Sequence, residues 1–148
     1  MGLLPFVASP QDLEFGLHQV HVTLADSPVD SSDVSLFHKT TQRQVYDTAR
    51  SEAPGVDDVL LWNRLGNVTE STIANVALRF DDVWITPPVE SGMLGGVYRA
   101  ELLAAGVLEE APVPIADLER ADEIALVNSV RGWRRAVVLP RPGFMGRV

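Results

Sequence analysis

"VTESTIANVALRFDDVWITPP", residues 68–88, sets the predicted architecture of this chain. Residues 68–80 are rich in β-branched and apolar side chains, and we expect them to form one strand. The run at 83–88 is of the same kind and indicates a second strand, separated from the first by only Asp81 and Asp82. Such a short polar connection is typical of a β-hairpin. The middle of the chain is therefore expected to be antiparallel sheet.

Further strands and helices are predicted on both sides of this hairpin. Short apolar runs predict strands at 57–62, 107–114, 122–129 and 135–140, and an alternating run predicts an earlier strand around Val20, Val22 and Leu24. Helical spacing, with capping residues or glycines at the ends, predicts helices at 41–53, 95–106 and 115–121. Strands mixed with helices and hairpins indicate a mixed α/β domain.

The bulk composition restricts the class of protein. At 148 residues, with 46% hydrophobic and 22% charged residues, the chain can form one globular domain with a real core. A net charge of -8 argues against nucleic-acid binding, because phosphate contacts need a stripe of Lys and Arg. The absence of cysteine excludes disulfides, zinc–thiolate sites and thiol catalysis. The apolar runs are too short for a membrane span or a secretory signal, so we expect a soluble cytoplasmic protein.

Lys39 is the only lysine in the chain and lies in "SLFHKTTQRQVYD", residues 35–47. One interpretation is codon bias, since every other basic residue among the 12 Lys and Arg is arginine. The alternative is chemical, because a lysine amine can lose its proton and attack a carbonyl, whereas a guanidinium stays protonated. Scarcity alone leaves both interpretations open.

Glu70 and two glycine- or asparagine-containing turns are further candidate site residues. A carboxylate within a buried strand needs a cationic partner, although Glu70 could equally be a solvated residue at a turn edge. "LGGVYR", residues 94–99, places two glycines at a predicted helix N-terminus, where backbone N–H groups favour a phosphate. "VNSVRG", residues 127–132, follows a predicted buried strand, a usual ligand location in α/β sheets. Each turn could also be ordinary, and Arg99 and Arg131 could be anion-facing or surface residues.

A lysine, a ring-nitrogen partner and two phosphate-holding turns together match the requirements of pyridoxal 5'-phosphate.

Four motifs in order carry a family resemblance over about residues 26–139. They are "HKTTxRxxYD", "GNVTESTxAN", "ITPPxxSGxLGGxYR" and "ADEIxLxNSxRG". This order resembles the class IV aminotransferases, the fold type IV pyridoxal-phosphate enzymes, which include branched-chain and D-amino-acid aminotransferases and 4-amino-4-deoxychorismate lyase. The "HKTT" and "NSVRGW" variants are most similar to the lyase-like members.

The resemblance implies a role for each matching position. Lys39 matches the family's Schiff-base lysine, which also moves the substrate's Cα proton, and Glu70 matches the carboxylate paired with the pyridine nitrogen. Asn75 matches an asparagine that supports the cofactor loop, and Arg131 lies where relatives contact a substrate carboxylate. Arg43 matches an arginine of the lyase-like motif without an assigned role. The residues implied to hold the phosphate are Gly96, Val97, Tyr98, Ser129 and Val130.

The resemblance also implies a domain organisation. Family members carry an N-terminal domain that supplies an arginine to the phosphate and one wall of the substrate pocket. We therefore expect residues 1–33 to be an arriving strand and interdomain linker, with the family's N-terminal domain absent from the chain. Residues 34–148 are expected to be the C-terminal pyridoxal-phosphate-binding domain, a mixed sheet or pseudo-barrel with flanking helices.

The implied function is an aminodeoxychorismate lyase-like reaction, which yields 4-aminobenzoate and pyruvate for folate synthesis. One alternative is an aminotransferase of the branched-chain or D-amino-acid type, and another is an inactive fragment or interaction domain. The expected ligand is a small-molecule substrate, and the expected partner is a second copy in a homodimer or the N-terminal domain. We expect the chain alone to bind the cofactor weakly or not at all, and to dimerise or aggregate through its exposed apolar face.

Overall fold

The computed structural model describes residues 19–29 and 46–140, and all structural statements below refer to these residues. The strands are β1 Val20–Leu24, β2 Asp58–Trp62, β3 Val68–Ser71, β4 Asn75–Phe80, β5 Val83–Thr86, β6 Leu108–Glu110, β7 Glu123–Asn128 and β8 Gly132–Val138. Residues 46–51 are helical (α1), and the later helices are α2 Val97–Ala104 and α3 Asp117–Arg120. A single 3₁₀ turn at Val89–Ser91 completes the regular structure of the described residues.

The described strands form one mixed sheet in the order β3-β2-β1-β8-β7-β4-β5-β6. Strand β1 is parallel to both β2 and β8, and β6 is parallel to β5, whereas the other pairs are antiparallel. Strands β3 and β4 contact each other although they occupy distant places in this order, so the sheet curls into a half-barrel. The predicted mixed α/β pseudo-barrel is confirmed.

The core lies on both faces of the curled sheet. Successive residues of β4 alternate, so that Val76 and Leu78 join one apolar cluster with Leu60 and Leu126, whereas Ala77 joins another. Helix α2 covers this second cluster with Leu102. A third cluster packs helix α1, through Tyr46 and Ala49, against Val59 and Leu61 of β2.

The hairpin at Asp81 and Asp82 is confirmed, because β4 and β5 are antiparallel with Phe80 opposite Val83. The single strand predicted at 68–80 is wrong, since residues 72–74 interrupt it and its halves join different partners. The Ser71 hydroxyl oxygen accepts the backbone N–H groups of Ile73 and Ala74, at 3.2 and 2.9 Å. Such side-chain bonds replace ladder bonds and turn the backbone out of the strand.

The remaining predicted elements are confirmed with shifted ends, except that the start of the helix predicted at 41–53 lies outside the described residues. The predicted helix at 95–106 is Val97–Ala104, preceded by extended Gly96 and followed by Gly106 at φ 79°. The strand predicted at 107–114 is only Leu108–Glu110, because the prolines that follow cannot donate to a ladder. The last strand begins at Gly132 instead of 135, and its Trp133 packs edge to face on Trp84 at 4.9 Å.

The early strand β1 is integrated into the sheet. Val22 lies opposite Asp58 on β2 and Val138 on β8, so both edges of β1 are paired. The boundary proposed at residue 33 stays a prediction, because residues 30–45 are outside the described ranges. Within the described ranges, no helix is both long and apolar enough to cross a membrane.

Candidate functional site

The predicted site residues that the structure describes gather where several strands begin or end, and this side of the sheet is called the site edge or simply the edge below. Asn75 begins β4 and lies opposite Val127, the residue before Asn128 at the end of β7. Because these strands are antiparallel, the start of one and the end of the other share an edge. Lys39 and Arg43 lie outside the described residues, so their positions stay predictions.

Glu70 is a buried carboxylate on β3, with only 5% of its surface exposed. Its Oε2 accepts a hydrogen bond from the phenol of Tyr46 at 2.5 Å, and the backbone N–H of Leu94 also donates to the carboxylate. Burial raises the pKa of Glu70 to about 8, and the nearby charge of Asp58 adds to this, although the hydrogen bonds from Tyr46 and Leu94 act in the opposite direction. The interpretation of Glu70 as a solvated residue at a turn edge is therefore wrong.

Asn75 fastens the loop that precedes α2. Its Nδ2 donates to the carbonyl of Leu94 at 3.0 Å, and its Oδ1 accepts the backbone N–H of Gly96 at 3.1 Å. A Cβ atom on Gly96 would lie 2.9 Å from that Oδ1, so a side chain there would displace the contact. Because Glu70 binds the N–H of Leu94, the same short loop is held from β3 and from β4.

The N-terminus of α2 presents backbone donors at this edge. Gly96 is the N-cap, and helix geometry leaves the N–H groups of the first residues without intrahelical acceptors. Val97 is mostly exposed, whereas Tyr98 packs its ring partly against the cluster beneath α2. Burial, followed by the charge of Glu101, raises the pKa of Tyr98. The phenol thus stays a neutral group beside the donors.

The turn between β7 and β8 lies against residues 72–74, beside the start of β4. The Nδ2 of Asn128 donates to the carbonyl of Ile73 at 2.9 Å, while its Oδ1 accepts the backbone N–H of Arg131 at 2.7 Å. Asn128 thereby shapes the turn and holds it against residues 72–74. Ser129, Val130 and Arg131 are exposed at its tip, at the same edge as Asn75.

Arg99 is neither an anion-facing residue of this edge nor a surface arginine. It is 4% exposed, donates to the carbonyl of Pro87 at 3.0 Å and forms an ion pair with Glu110. These bonds join α2 to β6 and to the segment after β5. Of the two arginines considered, only Arg131 is exposed.

A polar group beside Glu70 was not predicted from the sequence. The Oδ1 of buried Asp58 accepts the Thr72 hydroxyl at 2.5 Å, and Arg50 donates to that hydroxyl oxygen at 3.1 Å. The Nη1 of Arg50 also lies 3.6 Å from Oδ1 of Asp58, which makes the two side chains an ion pair. From the sequence, Tyr46 is assigned no role beyond the predicted helix at 41–53, and its place in the motif "HKTTQRQVYD" is the one available signal of a polar role.

The edge therefore combines a buried carboxylate with the backbone donors at the start of α2 and the exposed turn at 129–131. Such a donor set suits a ligand with an anionic group at one end and a basic nitrogen at the other. A metal site has no comparable support, since the described residues contain no group of three His, Cys, Asp or Glu side chains placed to hold an ion.

Comparison with known proteins shows similarity over most of the chain. Residues 5–138 match the family described as amino-transferase class IV. A Schizosaccharomyces pombe protein with the provisional name aminodeoxychorismate lyase is 36% identical over 115 residues, which cover 73% of this chain and 50% of that protein.

Solved structures give the same result. A Mesorhizobium loti protein, provisionally named an amino-acid aminotransferase, has a TM-score of 0.77 and 37% identity, covering 94% of this chain and 65% of its own. A Legionella pneumophila protein, provisionally named 4-amino-4-deoxychorismate lyase, has a TM-score of 0.76 and 29% identity, covering 86% of this chain and 50% of its own. The chain thus spans between half and two thirds of the length of these relatives.

Proposed function

We propose, because this chain belongs to the class IV aminotransferase family, that it binds the family's cofactor, pyridoxal 5'-phosphate, and serves an aminodeoxychorismate lyase-like reaction. That reaction eliminates pyruvate from 4-amino-4-deoxychorismate and leaves 4-aminobenzoate. The observation that carries the proposal is the loop at 93–96, which Glu70 and Asn75 hold together at the edge where the second turn also lies.

The residues at this edge fit the cofactor. A carboxylate as buried as Glu70 is costly when ionised and unpaired, and a protonated ring nitrogen is a cation that would offset this cost. The backbone N–H groups at the start of α2 and in the turn at 129–130 suit a phosphate. Gly96 has no room for a side chain because Asn75 Oδ1 occupies that space, and this close approach lets Asn75 hold the loop in place before α2.

The proposed site residues have distinct tasks in the reaction. When bound, pyridoxal phosphate supplies an electron sink for charge that develops on the substrate. Lys39 is proposed as the anchoring amine and as the group that carries the proton. Glu70 keeps the ring nitrogen protonated, Ser129 and Val130 hold the phosphate together with Gly96, Val97 and Tyr98, and Arg131 orients the substrate carboxylate.

A borohydride experiment tests the anchoring residue. Purified protein is saturated with pyridoxal phosphate, its visible spectrum is recorded before and after borohydride, and the reduced adduct is located by peptide mapping. Because Lys39 is the only lysine, we expect the adduct on the peptide that contains it and on no other side chain. The charge-preserving variant K39R is the control and should lose the adduct. An adduct confined to the N-terminal amine, or retained in K39R, contradicts the proposal.

Amino-acid transamination by the same site is the second candidate. The Mesorhizobium loti structure favours it, because its provisional name is an amino-acid aminotransferase and it covers nearly the whole chain. Pyruvate release from aminodeoxychorismate is therefore measured beside conversion of branched-chain and D-amino acids with 2-oxoglutarate. Turnover of the amino acids alone would replace the lyase proposal.

We further propose that the protein acts in the cytoplasm as a homodimer. Large apolar side chains are exposed around the site, namely Ile73, Leu94, Val97 and Val130. Apolar groups grouped in this way favour contact with another protein surface. A second copy of the chain is the partner that we propose for them.

A further inference from the structure

The bond between Tyr46 and Glu70 has no task in the reaction proposed so far. The Tyr46 phenol lies 2.5 Å from Oε2 of Glu70, which joins helix α1 to strand β3. The ring of Tyr46 also packs against the cluster of Val59 and Leu61, and this apolar contact fixes the position of the ring. The contact is therefore built by two separate elements and by apolar packing.

Toward the ionised Glu70 carboxylate, which has no proton to donate, the phenol acts as the donor. Burial, followed by the charge of Glu70 and the hydrogen bond to it, raises the pKa of Tyr46 far above the physiological range. The phenol consequently keeps its proton at any pH at which the protein works. A donor on a carboxylate favours its ionised form over its neutral form.

The other groups that face Glu70 come from three elements. The backbone N–H of Leu94, in the loop before α2, is a second donor, whereas Asp58 on β2 disfavours a second negative charge. Arg50 on α1 lies 3.6 Å from Asp58 and offsets part of its charge. Among the described groups, two donors therefore oppose burial and Asp58.

We infer that Tyr46 is a positioning residue, whose phenol orients the Glu70 carboxylate and favours the ionised form that a protonated ring nitrogen requires. The ring-nitrogen part rests on the proposed function, while the coupling of Tyr46 to Glu70 does not.

The coupling is measured in the cofactor-free 148-residue chain by carbon NMR of labelled Glu carboxyl groups, with E70Q identifying the Glu70 signal. We expect Y46F to lower the acid dissociation constant of Glu70 by about tenfold, as expected for the loss of a short hydrogen bond to a charge. Y98F is the matched control, because Tyr98 is the only other tyrosine, and it should leave that constant unchanged. An unchanged constant in folded Y46F overturns the inference.

A second measurement keeps the inference testable if Y46F fails to fold. In the wild-type chain, the labelled Cζ signal of Tyr46 should inflect at the pH at which Glu70 ionises, while the signal of Tyr98 should not. D58N should shift that pH downward, opposite to Y46F, because it removes the repulsive charge and keeps an acceptor for Thr72. A Tyr46 signal without this inflection overturns the inference.

The ring nitrogen is examined separately with nitrogen-labelled pyridoxal phosphate. We expect its signal in Y46F to move from the protonated toward the unprotonated position, and an unmoved signal overturns the ring-nitrogen part. If no adduct forms on Lys39 although Tyr46 and Glu70 titrate together, the proposed function fails and the coupling stands. If the adduct forms and the coupling is absent, the inference fails alone.

Discussion

Glu70 makes the stability of the chain depend on pH in an unusual direction. Its pKa is raised in the folded state from the ordinary 4.5 to about 8, so between these values the folded chain binds the proton more tightly than the unfolded chain. Stability is then fully present below pH 4.5, falls as the pH rises through the window, and levels off near pH 8. A salt-bridged carboxylate has a lowered pKa and makes a protein more stable as the pH rises, whereas the buried Glu70 makes this chain less stable as the pH rises.

We predict that E70Q removes this dependence. The neutral amide keeps an acceptor for Tyr46 and has no charge to desolvate, so the variant should match wild type near pH 4.5 and exceed it near pH 8 by a few kcal/mol, about 1.4 kcal/mol for each unit of raised pKa. Urea unfolding of both chains at several pH values measures the difference. Parallel curves across the window would contradict the assignment.

At the scale of single residues, the sequence identified several of the site residues, but it predicted few of their hydrogen-bond and ion-pair partners. Glu70 and Asn75 were identified by their motif, and both lie at the shared edge. Tyr46 and Asp58 were missed because their polar role arises from packing between α1, β2 and β3, which no local pattern records. Arg99 was misjudged for the same reason, since its partner Glu110 belongs to another strand.

The interruption between β3 and β4 depends on one hydroxyl. Ser71 accepts two backbone N–H groups and donates to the carbonyl of Ala74 at 3.1 Å, and both of its bonds with Ala74 are buried. We expect S71A to lower the free energy of unfolding by about 1–3 kcal/mol, because buried partners lose their bonds. The matched control is S51A, whose hydroxyl bonds only to Thr48 at an exposed site and whose loss should cost less than about 0.5 kcal/mol. Equal losses in thermal or urea unfolding would refute this account.

Individual elements were predictable where the signal was local. The hairpin at 81–82 follows from two polar residues between two apolar runs, and the glycines around α2 mark its ends. The break at 72–74 could not be predicted in this way, because β-forming residues continue through it and the turn depends on Ser71 bonding to its neighbours. Element existence was therefore recovered more completely than element boundaries.

For the whole molecule, we predict that the proposed homodimer depends on the apolar rim of the site. Val130 is 88% exposed and Ile73 is also exposed, whereas Leu65, 82% exposed, lies in the turn between β2 and β3 at the other edge. The double variant I73S/V130S should shift light scattering from dimer to monomer, because it removes apolar area from the rim. L65S is the control and should leave the mass unchanged. A monomeric wild-type chain would contradict the prediction directly.

The order of the strands was beyond the sequence patterns. Apolar runs predicted the strands and the family resemblance predicted a pseudo-barrel, but pairing of β1 with β2 and β8 joins segments far apart in the chain. Local propensity holds no information on such partners. The family-level description was attainable because four motifs in order carry it, whereas the geometry of the site required the assembled sheet.

The place of β1 in the sheet has a consequence for biosynthesis. One of its two neighbours, β8, is the last strand of the described residues, so one edge of β1 stays unpaired during synthesis until residues 132–138 have been translated. We expect the pairing of β1 with β8 to be slow, because contacts between residues far apart in the sequence form late in folding.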